Sequence, residues 1–226
     1  MKLYSNPVST ASRPVIQFCI DAKIDCEFVV VDLMKGEQRK LPFAELNPNC
    51  LVPALEDGDF VLTESSAILK YLAEKAGHPA YPKDLRARAR VNELMDWFNT
   101  GFYREYGYHL IYPQLFPHHK RPSEEAQTAT LNWGKDKACA SLKVLNDHYL
   151  AGGRKYLCGS EPTIADYFGA AIVSLGELIG VSLKGYPNVQ GWLAAMKARP
   201  SWSEANAVFD GFAASLKGQR FVSIGA

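Results

Sequence analysis

Two stretches of this 226-residue chain hold most of the side chains whose type and spacing suit chemistry. The first runs from Asn47 to Leu72. It contains Val52-Pro53, the turn signal Asp57-Gly58 and the run Thr63-Glu64-Ser65-Ser66 at the start of a helical pattern. A helix start beside a strand end directs unpaired N–H groups outward, which makes it a natural anion site. The same four residues also read as an ordinary cap with a solvated first-turn acid. Pro53 cannot donate to a strand ladder, so a bend or a cis bond is expected before Ala54-Leu55. The second stretch is the loop Ser5 to Ser12, which sets hydroxyls at Ser5, Ser9, Thr10 and Ser12 ahead of a helix whose first turn accommodates Pro14.

Other candidates point less sharply. Cys19, Cys26, Cys50, Cys139 and Cys158 are odd in number and form no C-x-x-C, so they are expected to be reduced and mostly buried, without a disulfide framework or zinc. His118-His119 has no acid or cysteine at ligand spacing and reads as a solvated loop pair; no metal is expected. Asp166 closes a capping-box pattern with Thr163 and is assigned to folding. Phe102, Tyr103, Tyr106 and Tyr108 cluster with Arg104, and such rings serve equally well as core or as the wall of an apolar pocket. The adjacent Gly101 and Gly107 weaken a helix and mark a bend.

These residues must be positioned by regular elements, and the composition permits them. With 47% apolar residues the chain can build a packed core. Lys and Arg total 25 against 24 Asp and Glu, a net charge of +1 that offers no electrostatic footprint for nucleic acid or an anionic membrane. A small or neutral partner is the expectation. No signal-like N-terminal segment or membrane-length apolar run is evident, so the cytoplasm is the expected compartment.

Lys2-Leu3-Tyr4 reads as a strand, and Val15, Ile16, Cys19 and Ile20 as the apolar face of the following helix. Phe28 to Val31 is a β-branched run expected to be buried on both faces in parallel pairing. A hairpin around Asp57-Gly58 and a helix carrying Ile68, Leu69 and Leu72 complete a β-α-β-α-β-β-α order with a mixed sheet. After the Gly- and Pro-rich connection that starts at Gly77, the pattern becomes helical. Val91, Leu94, Met95, Phe98 and Phe102 mark one helix, and Leu131, Ala138, Leu142, Leu145 and Tyr149 another, with a Pro- and His-rich loop from Pro113 to Pro122 between them. Ile164, Phe168, Ala171, Ile172, Leu175 and Ile179 form a central helix. Val189, Trp192, Leu193 and Met196 form a further one that stops at Arg199-Pro200, before a tail helix.

With Ser9-Thr10-Ala11-Ser12-Arg13, Asn47-Pro48, Val52-Pro53-Ala54-Leu55, Leu62-Thr63-Glu64-Ser65 and Thr163-Ile164-Ala165-Asp166-Tyr167 in this order, the chain resembles the cytosolic glutathione S-transferases, of theta-like type. The resemblance implies an α/β thioredoxin-like N-terminal domain (1–76), a linker (77–84) and an all-α C-terminal domain (85–226) with the second substrate's pocket. It also implies a homodimer and glutathione as co-substrate, conjugated to a small hydrophobic electrophile.

On that resemblance Glu64 and Ser65 grip the γ-glutamyl zwitterion, and Val52, beside a cis Pro53, pairs with the cysteinyl backbone. Ser9 is the catalytic hydroxyl: the family pattern puts the active serine four residues before Arg13, which selects it over Ser5 and Ser12, with Thr10 as a rival hydroxyl. Its role is to donate to the sulfur, since a free thiol with a pKa of about 8.5 is only a few per cent ionised at neutral pH. Gln38 is assigned to the glycyl end, and Tyr103, Arg104 and Tyr108 to the electrophile pocket. Leu51 stands where theta relatives often carry lysine, which weakens one grip on the glycyl carboxylate. The end at Ala226 implies a more open pocket. Glutathione binding without turnover, and glutathione-dependent thiol reduction or peroxidase chemistry, are the alternatives.

Overall fold

The computed structural model describes residues 1–225. Strands β1 (Lys2–Ser5), β2 (Glu27–Val30), β3 (Ala54–Asp57) and β4 (Phe60–Thr63) form one sheet in the order β2-β1-β3-β4. β1 pairs parallel with β2 and antiparallel with β3, which pairs antiparallel with β4. Helices α1 (Arg13–Asp21), α2 (Phe43–Leu46) and α3 (Ser65–Lys75) complete this mixed α/β unit, a thioredoxin-like arrangement. The hairpin turns at Gly58, whose φ of +66° suits a residue without a Cβ.

A second, helical unit follows. α4 (Leu85–Asp96) continues through wider π-type turns at Trp97–Phe102 and Arg104–Ile111 into α5 (Tyr112–Leu115). α6 (Glu124–Val144) packs back along it, and α7 (Ile164–Val173), α8 (Pro187–Lys197) and α9 (Pro200–Ser215) complete the layer. All ten residues of α7 are buried, as a helix apolar all round requires. Its start has the expected capping box, and Asp166 accepts further bonds from the Leu157 N–H at 2.8 Å and the Trp192 indole at 2.9 Å. One continuous core joins the units: Val15 and Phe18 of α1 and Ile68 and Leu69 of α3 are wholly buried with Leu94, Phe98 and Trp192.

Arg13 is the main polar tie across this joint. It is wholly buried; its Nη1 donates to Asn206 Oδ1 at 2.7 Å and Ser174 Oγ at 3.1 Å, and its Nη2 donates to the Ala171 carbonyl at 2.8 Å. The guanidinium also lies 3.7 Å from the Phe209 ring centre. Burial pulls its pKa down to about 10, so it stays charged at neutral pH.

Three expectations change. β2 pairs parallel as expected but is an edge strand, and Phe28 (39% exposed) and Val30 (62%) are open, because Phe43 of α2 covers only Val31, Val52 and Ala54 on this side. All five cysteines are free, but only Cys19 is buried. The Pro113 to Pro122 stretch is not all loop: Pro113 and Gln114 lie in α5, and Pro117–His119 form a 3₁₀ turn.

Candidate active site

The sheet's register brings the scattered candidates to one end. Because β1, β2 and β4 run the same way and β3 runs opposite, the exits of β1, β2 and β4 and the entry of β3 share an edge of the layer. The Ser9 loop leaves β1 there, the Gln38 segment leaves β2, Val52-Pro53 enters β3, and Glu64-Ser65 leaves β4.

The Ser9 loop is braced from within. Asn6 accepts the Val8 N–H on Oδ1 at 3.0 Å and donates from Nδ2 to the Val31 carbonyl at 2.9 Å. The Ser9 carbonyl accepts from the N–H groups of Ser12 and Arg13, at 3.1 and 3.0 Å. Among the loop's hydroxyl residues, Ser5, Thr10 and Ser12 are 5% exposed or less, whereas Ser9 is only partly buried. Ser9 Oγ accepts the Ser12 N–H at 3.3 Å, so its own proton is free to donate outward. Ser12 occupies the cap position of α1 without a side-chain capping bond; its Oγ accepts the Asn6 N–H instead.

The peptide bond before Pro53 is cis. Val52 is buried beside Phe43, and neither its N–H nor its C=O has a hydrogen-bond partner among the described residues. Asn47 shapes this turn: its Nδ2 donates to the Leu51 carbonyl at 2.6 Å and its Oδ1 accepts the Asn49 N–H at 3.0 Å. Sequence reasoning assigned Asn47 no role, although its place before Pro48 is an asparagine-turn signal. Leu51 is 59% exposed. At Gln38 the side-chain Oε1 is enclosed without a hydrogen-bond partner among the described residues.

Glu64 occupies the N-cap position of α3 with φ +67° and ψ 113° and makes no side-chain capping bond. Ser65 is the first helical residue and is 8% exposed. No side-chain capping bond closes this helix start, while Glu64 is exposed, as a solvated acid beside a helix N-terminus would be. A non-glycine residue held at positive φ beside a helix N-terminus is the kind of strain found at ligand-binding positions.

Above this end of the sheet stands an aromatic cluster from the helical unit. The Thr10 hydroxyl bonds that of Tyr112 at 2.9 Å, and the Tyr112 hydroxyl bonds that of Tyr103 at 2.7 Å. Tyr108 packs edge-on against Tyr103 and Tyr112, with ring centres 5.2 and 5.1 Å away, and His119 packs on both Tyr108 and Tyr112. His119 is thus part of this wall and not a solvated loop residue, and burial lowers its pKa. A Cβ on Gly107 would come within 2.8 Å of the Tyr103 ring, so glycine makes room for that ring.

Arg104 lies elsewhere. It pairs with Glu105 at 2.9 Å and lines a groove of about 410 Å³ against α6, with Trp97, Trp133 and Lys137. The structure brings Tyr103 and Tyr108 together and leaves Arg104 on another face. At the far end of the chain, Val222 exchanges two backbone bonds with the Gln114 amide, at 2.8 and 2.9 Å, laying the tail against α5. Among the described residues, no group of His, Cys, Asp or Glu is arranged to hold a metal, and no helix is long and apolar enough to cross a membrane.

Comparison with known proteins gives a consistent answer. Residues 1–74 match the family described as glutathione S-transferase, N-terminal domain, and residues 112–200 match its C-terminal domain. Human glutathione S-transferase theta-1 is 35% identical over 203 residues, covering 88% of this chain and 82% of the relative. Among solved structures, the apo form of human glutathione S-transferase T1-1 aligns with a TM-score of 0.79 at 33% identity, covering 92% of this chain and 88% of that one. Human theta-2 in complex with glutathione aligns at 0.82 and 28% identity, covering 99% and 93%.

Proposed function

This chain belongs to the glutathione S-transferase family, with theta-like relatives, and from that premise we propose that it conjugates the glutathione thiolate to small hydrophobic electrophiles, with Ser9 as the donor that ionises the thiol. The observation that carries the reading is the state of Ser9: alone among the loop's hydroxyl residues it is only partly buried, and its proton is uncommitted. A hydroxyl donating to the sulfur near a helix start lowers the thiol's pKa, and each unit favours the anion by about 1.4 kcal/mol.

Glutathione's γ-glutamyl carboxylate is received by Ser65 and the N–H groups at the start of α3, and its ammonium by Glu64. The uncommitted Val52 N–H and C=O pair with the cysteinyl backbone as a strand does with an edge. Gln38, which leaves β2 at the same end of the sheet, hydrogen-bonds the glycyl end. Tyr103 and Tyr108 wall the electrophile pocket, and the placement of Arg104 favours leaving it out.

The working form is a cytoplasmic homodimer with domains at 1–76 and 85–226 joined by the linker 77–84. Thiol reduction through Cys19 is disfavoured: the neighbouring Cys26 thiol and burial both push its thiol pKa up, away from the thiolate.

The test is conjugation of an aryl halide by Ser9→Ala, with the bound thiolate followed by its ultraviolet absorbance as pH is varied. The reading expects kcat/KM at neutral pH to fall by about tenfold or more and the thiol's apparent pKa to rise by about one unit or more, with glutathione still bound. Full activity in this variant removes Ser9 from the mechanism. Tight glutathione binding by the unaltered protein, with no rate enhancement across an electrophile panel, removes the transferase reading itself.

A further inference from the structure

Tyr112 carries no role in the readings above, yet among the described residues the only hydrogen bond between the loop 6–12 and the helical unit is the one it makes to Thr10. Thr10 is the direct chain neighbour of Ser9, and both sit in the turn that the Ser9 carbonyl closes onto Ser12 and Arg13. On its other side the Tyr112 hydroxyl bonds Tyr103, and the Tyr112 ring packs against Tyr108, Phe116 and His119. One phenol therefore touches both the wall above the sheet end and the turn below it.

From this geometry we infer that Tyr112 is a positioning residue for the Ser9 hydroxyl, acting through Thr10 and itself held by Tyr103. The inference rests on Ser9 being the thiol's donor. The three hydroxyls of Tyr103, Tyr112 and Thr10 form one hydrogen-bonded chain, in which each oxygen can donate or accept. Burial raises the pKa of Tyr112 to about 12 and that of Tyr103 above its ordinary value, which keeps both protonated throughout the working range. Thr10 is held at the distance this bond requires, and the orientation of the next residue's hydroxyl is held with it. Because Tyr103 and Tyr108 also wall the pocket, occupancy of the pocket and alignment of the nucleophile are linked through one side chain.

The experiment titrates enzyme-bound glutathione by thiolate absorbance in Tyr112→Phe, Thr10→Val, Thr10→Ser and Tyr112→Phe/Thr10→Val, with Ser9→Ala alongside, and measures kcat and KM for each. Losing one neutral hydrogen bond is expected to lower the thiolate fraction below its midpoint by roughly two- to tenfold, with glutathione KM nearly unchanged. Thr10→Ser should retain the ordinary titration, and the double variant should do no worse than its more affected parent.

An unchanged thiol titration in Tyr112→Phe and Thr10→Val, with only the electrophile's KM raised, overturns the inference, as do losses that simply add. If Tyr112→Phe fails to fold, Thr10→Val decides alone. Ser9→Ala separates the two levels. If that variant leaves the titration unmoved, the Ser9 reading falls and this inference with it; if it moves the titration while Tyr112→Phe does not, only this inference falls.

Discussion

Glu64 is held at φ +67° although it has a Cβ, and its side chain makes no capping bond that would account for the conformation. Positive φ in a non-glycine residue costs on the order of 1 kcal/mol, and on the proposed reading that conformation serves the grip on glutathione. Glu64→Gly is therefore expected to stabilise the fold by about 1 kcal/mol in urea unfolding while raising the KM for glutathione severalfold. A variant that loses stability and keeps its KM would mean that Glu64 serves the fold and not the ligand. At this scale the sequence offered several loop hydroxyls, and only the family pattern, through the spacing to Arg13, singled out Ser9. Burial sets Ser9 apart independently of that pattern, and it depends in part on Tyr112 of α5 reaching Thr10 from 102 residues away. The orphaned oxygen of Gln38 was hidden for a similar reason, since a missing partner does not show in residue type, whereas the Asn47 turn brace was legible in Asn47-Pro48.

The elements were more legible, because periodicity is local. The order of strands and helices in the first unit, the hairpin and the apolar face of α7 all follow from patterns within a dozen residues. The capping box at α7 was equally plain, and Asp166 proves to gather donors from Leu157, Thr163 and Trp192 at 2.7 to 2.9 Å. Asp166→Ala leaves those buried donors unpaired and is expected to cost about 3 kcal/mol or more, read as a lower urea midpoint with an unchanged slope. What periodicity could not show was the change of winding after Asp96. Under i→i+5 winding Tyr108 returns to the face of Tyr103, whereas the α pattern groups it with Arg104. The separation of Arg104 from Tyr103 and Tyr108 has this cause. The exposure of β2 has another: a run of valines reports strand propensity, but whether a helix covers it is a tertiary fact.

For the whole molecule, the joint between sheet and helices decides stability, and Arg13 lies at its centre. Arg13→Leu fills the space but removes the donors that satisfy Asn206, Ser174 and the Ala171 carbonyl. It is expected to cost about 3 kcal/mol or more, seen as a lowered thermal midpoint, with loss of glutathione affinity because the Ser9 turn closes directly onto residue 13. A variant with an unchanged midpoint would show that the apolar contacts of α1 hold the joint alone. The same tie carries a consequence for how the chain is born. Arg13 is made 193 positions before its partner Asn206. Val15 and Phe18 of α1 have α3 and then α7 to pack against as the chain lengthens, but until α9 follows the guanidinium lacks one of its three partners. The polar tie across the joint is therefore closed only after α9 has left the ribosome.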